Sequence, residues 1–198
     1  SLMTQSVLIK NIDLEKYKNL TFQLLIATIP VVLVGYIFKD LIEQRIFSIE
    51  SIAISNLIFA AILLLAFLRN KSSKGVYEIT LFTALFIGAF QCFALIPGAS
   101  RSGTAITAAL LIGLNLKDAS KFAFMLGIPT ILGALVLLVI DMQNTDIQFD
   151  FLILITGFLT SMIFAFFTIK LFLSFVEKIG MVPFVLYRVL LGVILLLM

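Results

Sequence analysis

Four stretches of this chain, at positions 20–38, 51–68, 122–140 and 151–169, carry no charged side chain and are almost wholly apolar. Each is close to the ~20 residues that a helix needs to cross the hydrocarbon of a bilayer. A fifth run, 179–198, is interrupted only by Arg188. In hydrocarbon a segment must satisfy its own backbone hydrogen bonds, and a helix does so without help from a neighbour. The runs therefore predict an all-α polytopic membrane protein with five spans, at about 20–38, 51–68, 122–140, 151–174 and 183–198. Composition agrees: 62% of the 198 residues are hydrophobic and 13% charged, against about 45–50% apolar in soluble domains. The whole chain, 1–198, reads as a single membrane domain.

Several chemistries are excluded from these residues. One cysteine, Cys92, leaves no internal disulfide and no CxxC motif, and there is no histidine to act as base, ligand or phosphorylated intermediate. The net charge of +3 has no basic cluster interleaved with aromatics, so it reads as loop distribution and not as a nucleic-acid surface.

The stretch 79–116 is different from the five runs. It is uncharged except for Arg101, and its two apolar arms flank the sequence PGASRSGT at 97–104. The second arm is too short to cross. Lys10, Lys16 and Lys18 precede the first span, Arg69, Lys71 and Lys74 follow the second, and Lys117 and Lys121 follow the short arm. The positive-inside tendency puts all three groups in the cytoplasm. The segment 141–150, with three aspartates and no Lys or Arg, reads as external, Lys178 as a return to the cytoplasm, and the mixed loop 38–51 as external. This alternation closes only if 79–116 enters and leaves on one side, as a re-entrant helix hairpin with PGASRSGT at a tip near the midplane.

Such a tip needs special residues. Gly98 and Gly103 allow backbone angles and close approaches that a side chain blocks, and Pro97 ends the first arm. Ser100 or Ser102 can cap a helix starting near Gly103, with capping the expected role of Ser102. The free N–H groups of that helix attract anions, and Arg101 adds a planar fork suited to phosphate oxygens. The stretch reads as a phosphate cradle; the bland alternative is a Pro-Gly turn whose Arg snorkels to water. It is not a Walker loop, because it lacks the GK[ST] ending. Gln91, in the first arm, either faces a cavity or bonds the other arm. Arg188 is expected to snorkel to the cytoplasmic interface. Pro30 and Pro129 fall early in their spans, where bends can open a lateral route for a long lipid chain.

FQCFALIPGASRSGTAIT, the downstream FAFMLGIPTILGA and the terminal PFVLYR resemble the second half of the undecaprenyl-diphosphate phosphatase, or bacitracin-resistance, family. The resemblance extends from about Asn19, where LTFQLLIATIPVVLVGYIFKD is similar to a family span, to the C-terminus. It implies a bacterial plasma-membrane enzyme that removes one phosphate from undecaprenyl diphosphate, recycling the lipid carrier for cell-wall synthesis and conferring resistance to bacitracin. It also implies an inverted repeat in which two re-entrant hairpins meet near the midplane.

The family's other hairpin carries a Glu-rich motif ending in a Ser-Ser-x-Gly-His pattern; nothing like it precedes Asn19, and the chain looks N-terminally incomplete. The resemblance further implies a divalent cation, Mg or Ca, held through carboxylates that this chain lacks, so no metal ligand is assigned here. On the matched positions, Arg101 is the expected pyrophosphate clamp. Ser100 is the nucleophile or a phosphate-contacting hydroxyl, and Ser102 is the third member of the catalytic group. Gly98, Gly103 and Gln91 are assigned to substrate binding. The family pattern PGxSRSxxT ends here on Ala105, so Thr104 and Thr107 are the neighbouring hydroxyls that can replace the missing one.

A carrier or flippase for a polyprenyl phosphate lipid, or a nonhydrolytic binding fragment, is the alternative, because transporters also build midplane sites from broken helices. An ion channel fits less well, since one isolated Arg makes no selectivity filter. The implied partners are a polyprenyl diphosphate lipid and membrane lipids, with no nucleic acid and no assigned oligomeric state.

Overall fold

The computed structural model describes the backbone of residues 2–43, 48–142 and 150–197. The loop 38–51 falls partly outside the described residues, and the segment 141–150 mostly so. Among the described residues eight α-helices follow one another: α1 (Leu2–Ile37), α2 (Lys39–Glu43), α3 (Ile49–Arg69), α4 (Leu81–Gln91), α5 (Arg101–Leu111), α6 (Leu116–Met142), α7 (Phe151–Ile179) and α8 (Val182–Leu197). Short 3-10 turns at Val76–Glu78 and Cys92–Leu95 lead into α4 and toward the tip.

The chain is an all-α multi-pass membrane protein. Within α1, α3, α6 and α7, the segments Leu14–Ile37, Ile49–Arg69, Leu116–Ile140 and Phe151–Ile179 are long and apolar enough to cross a membrane; α8 is shorter, at 16 residues. Helices α1, α6 and α7 run past the apolar stretches into charged residues, because Lys, Glu and Asp are compatible with helix once the axis leaves hydrocarbon.

Local chemistry sets the helix ends. Ser48 Oγ accepts the Ser51 N–H at the start of α3, and Asp150 Oδ1 accepts the Leu152 and Ile153 N–H groups at the start of α7. Thr80 and Thr83 cap α4 reciprocally, each hydroxyl accepting the other's N–H. These bonds satisfy donors that a helix leaves open at its first turn.

Packing follows the membrane rule that small residues let helices approach. Ala27, Ala53, Ala60, Ala84, Ala105, Ala108 and Ala109 are completely buried, while Phe151, Phe158, Phe164 and Leu171 of α7 stay exposed to the apolar surroundings. Helix α3 packs chiefly on α8, α1 on α4, and α5 on α6.

One end of the bundle gathers the basic loops. Asn70 Nδ2 donates to the carbonyls of Leu110 and Leu114, and Asn115 N donates to Lys74 O at 2.9 Å. Val76 N donates to Asp118 Oδ2, Gln23 Nε2 to Ile79 O, and Lys117 pairs with Glu177. The start of α4 and the end of α5 therefore lie together, beside the end of α3, the start of α6 and the end of α7. The segment from Ile79 to Leu116 goes into the bundle and returns to the end it left.

Candidate functional site

The tip of that hairpin is seated on α3. Ser55 Oγ donates to Pro97 O, and a Cβ added at Gly98 would run into Ile52 O and Ser55 Oγ. At 1.5 Å per residue, Asn56, beside the tip, lies about 10 Å from the start of α3 and about 20 Å from its end. The tip is thus inside the apolar thickness and far from the basic loops. Gly98 has φ +95°, in the region where an L side chain is strained. Gly98→Ala is expected to cost about 1–3 kcal/mol, read as a fall in melting temperature in detergent. Gly157→Ala, where a Cβ meets nothing within 4 Å, is the control and should show no such fall. Equal behaviour of the two variants would refute the seating of the tip.

Ser100 also has positive φ, 70° with ψ 115°, and it is not a glycine. Its Oγ accepts the Gly103 N–H at 3.2 Å and caps α5. The sequence leaves the cap open between Ser100 and Ser102 for a helix starting near Gly103, with capping the expected role of Ser102. Helix α5 instead begins at Arg101, so Ser100 occupies the capping position, and the Ser102 hydroxyl has no hydrogen bond among the described residues. The physical reason is the turn: Gly98 and Ser100 reverse the chain two residues earlier than Gly103 would.

Arg101 is the first helical residue, exposed, with no side-chain hydrogen bond or ion pair among the described residues. Thr104 and Thr107 are buried in α5 and donate to Arg101 O and Gly103 O of their own helix, at 2.9 and 2.7 Å. Their lone pairs remain as acceptors only, unless a ligand displaces these bonds. Ala105, in the place of the pattern's last hydroxyl, is completely buried.

Gln91 is also completely buried, and its hydrogen bond runs to α6 and not to the other arm. Its Nε2 donates to Thr130 Oγ1 of α6 at 3.4 Å, and its Oε1 has no partner among the described residues. The hairpin packs on α6 through α5, and Thr130 of α6 is the partner that Gln91 finds.

The largest departure concerns Arg188. The snorkelling expected of it does not occur: it is 3% exposed and lies under the tip. Its Nε donates to Asn56 Oδ1 at 2.8 Å, and its Nη2 to Asn56 O, Gly98 O and Ala99 O at 3.2, 2.8 and 3.1 Å. Asn56 Nδ2 in turn donates to Arg188 O at 2.7 Å. Unpaired carbonyls at a membrane-buried turn outbid the interface for the guanidinium. A signal existed in the sequence: a lone Asn in the second apolar run and a lone Arg in the last, two polar groups that hydrocarbon forces to find partners.

Two clefts separate α1 from α6 at the levels of Pro30 and Pro129. One, of about 340 Å³, is lined by Val31, Val32, Leu95, Thr130, Ala134 and Leu138 among others, and the second by Leu25, Ile29, Pro129 and Leu132 among others. Leu95 brings the first cleft to within two residues of Pro97. Among the described residues no three of His, Cys, Asp and Glu come together as a metal site. No ligand set for the divalent cation implied by the resemblance is therefore assigned, and no step is drawn through one.

The family described as Bacitracin resistance protein BacA matches residues 2–194. A protein of Alcanivorax borkumensis named undecaprenyl-diphosphatase is 42% identical over 171 residues, 86% of this chain and 64% of the relative. A protein of the same name from Teredinibacter turnerae is 42% identical over 177 residues, 89% of this chain and 67% of the relative. The chain spans about two thirds of the length of these curated relatives.

Proposed function

This chain belongs to the bacitracin resistance protein BacA family, and on that premise we propose that it acts in the bacterial plasma membrane to hydrolyse undecaprenyl diphosphate. The products are undecaprenyl phosphate and orthophosphate, and the recycled carrier returns to cell-wall synthesis, which confers bacitracin resistance. The observation that carries this reading is the N-terminus of α5, held at depth between apolar helices with Ser100 and Arg101 at its mouth. A diphosphate joined to a long apolar chain fits that setting: an anionic head for the helix end and a tail for the clefts between α1 and α6.

In the net reaction a water oxygen bonds to the terminal phosphorus. The bond from that phosphorus to the bridging oxygen breaks, its electron pair stays on undecaprenyl phosphate, and the orthophosphate keeps the water's oxygen. Charge on the equatorial oxygens is what a protein stabilises in such a transfer. Arg101 supplies a two-pronged cation, and the free N–H groups of α5 a fixed positive end. Ser100 Oγ sits at that end, either as the attacking oxygen, replaced later by water, or as a hydrogen-bonding contact.

The test is orthophosphate release from undecaprenyl diphosphate by the purified full-length gene product in detergent, with and without divalent metal. Ser100→Gly separates the two roles, because glycine accepts φ 70° without strain and removes the hydroxymethyl group with its cap on Gly103, a loss that glycine at a helix N-cap tolerates at little cost. A fall to background marks a nucleophile, whereas about a tenfold loss, the value of one hydrogen bond, marks a contact. Wild-type protein that binds the lipid but releases no orthophosphate under either condition overturns the phosphatase reading in favour of a carrier.

A further inference from the structure

Arg188 has donors left over. Nε and Nη2 are consumed by Asn56 and by the carbonyls of Gly98 and Ala99, but Nη1 is fully buried and has no partner among the described residues. No described carboxylate forms an ion pair with this side chain, whose relative exposure is 3%. A buried guanidinium without a counter-charge is costly, and in membrane interiors such a residue is usually paired.

The direction of Nη1 is informative. A Cβ built on Gly103 would lie 2.9 Å from Nη1 and 3.1 Å from Ser100 Oγ. The orphaned donor and the capping hydroxyl thus converge on one point in the first turn of α5, which only glycine leaves open.

We propose that Arg188 is a positioning residue and buried counter-charge for the cradle. It straps the tip through Gly98 and Ala99, and its uncompensated positive charge beneath Ser100 and Gly103 draws the diphosphate head to the N-terminus of α5. The exposed Arg101 then grips the anion from outside while Arg188 acts from inside, through the tip backbone and across Gly103. The inference rests on the phosphatase reading only for the identity of the anion.

Inorganic pyrophosphate is the probe, its affinity for the full-length gene product in detergent measured by calorimetry at two ionic strengths. Arg188→Gln keeps donors for the tip carbonyls but removes the charge, whereas Arg188→Lys keeps the charge and loses the fork. The expected result is a fall in affinity of about tenfold or more for Gln, with a flatter salt dependence, and a clearly smaller fall for Lys. KM for undecaprenyl diphosphate should rise in the same order. Equal losses in Gln and Lys, tracking melting temperature, overturn the counter-charge and leave only packing.

Gly103→Ala retains both arginines and wedges a methyl between Nη1 and Ser100, so it tests the proposal even where the Arg188 variants do not fold. Affinity should again fall about tenfold, and wild-type affinity overturns the convergence. Pyrophosphate binding that follows charge at 188 without lipid hydrolysis would sink the phosphatase reading and leave this inference standing. Hydrolysis with pyrophosphate affinity unaffected by Arg188→Gln would do the reverse.

Discussion

Replacing Arg101 by alanine in the full-length protein should slow orthophosphate release from undecaprenyl diphosphate by about 10²–10³-fold, since one donor aimed at transition-state charge in a water-poor site is typically worth about 2.7–4 kcal/mol. The side chain has no structural bond to lose: it is exposed, at the first position of α5, with no partner among the described residues. The variant should therefore keep the melting temperature of the wild type while losing activity. Arg101→Lys should recover only part, because a point charge does not reproduce a bidentate contact with phosphate. Folded Arg101→Ala protein with wild-type turnover would remove the tip from the active site altogether.

The second large effect is expected on stability. Asn56→Leu takes the acceptor from Arg188 Nε and the donor from Arg188 O, both inside the packed bundle. Leaving a buried donor or acceptor unsatisfied costs about 1–3 kcal/mol, and more when the group is charged, so the variant should melt well below the wild type in detergent. The double variant Asn56→Leu with Arg188→Met removes the orphaned guanidinium but leaves the Gly98 and Ala99 carbonyls without their donor, so it should regain only part of that loss. It should not regain pyrophosphate affinity, because the charge and the strap on Gly98 and Ala99 are both gone. A single Asn56→Leu variant as stable as the wild type would show that the Asn56 to Arg188 network is not what fixes the tip.

The two effects separate by location. Arg101 is outside the packed bundle and is felt in the reaction; Asn56 is inside and is felt in folding. Arg188 belongs to both sets, because the same guanidinium that closes the gap between α3, α8 and the tip also brings positive charge to α5.

The local part of this protein was written in its sequence. Charge-free runs of spanning length dictate helices, because no other single segment satisfies its backbone in hydrocarbon. Pro97, Gly98 and the serines mark the turn, since few other residues reverse a chain so tightly, and Lys and Arg mark the loops that gather at one end of the bundle. These are properties of neighbours along the chain, which periodicity and composition record.

Pairings between distant residues were not written there. Arg188 meets Gly98 and Ala99 across about ninety positions, Gln91 meets Thr130 on another helix, and the choice between Ser100 and Ser102 as the cap falls to Ser100 because of where α3 and α8 hold the turn. Which of several polar groups in an apolar run finds which partner depends on the rotation and depth of packed helices. Those are decided by small residues such as Ala27, Ala60 and Ala105 that set how closely the helices approach. A sequence states that a buried arginine must be satisfied; only the assembled bundle brings the groups that satisfy it within reach.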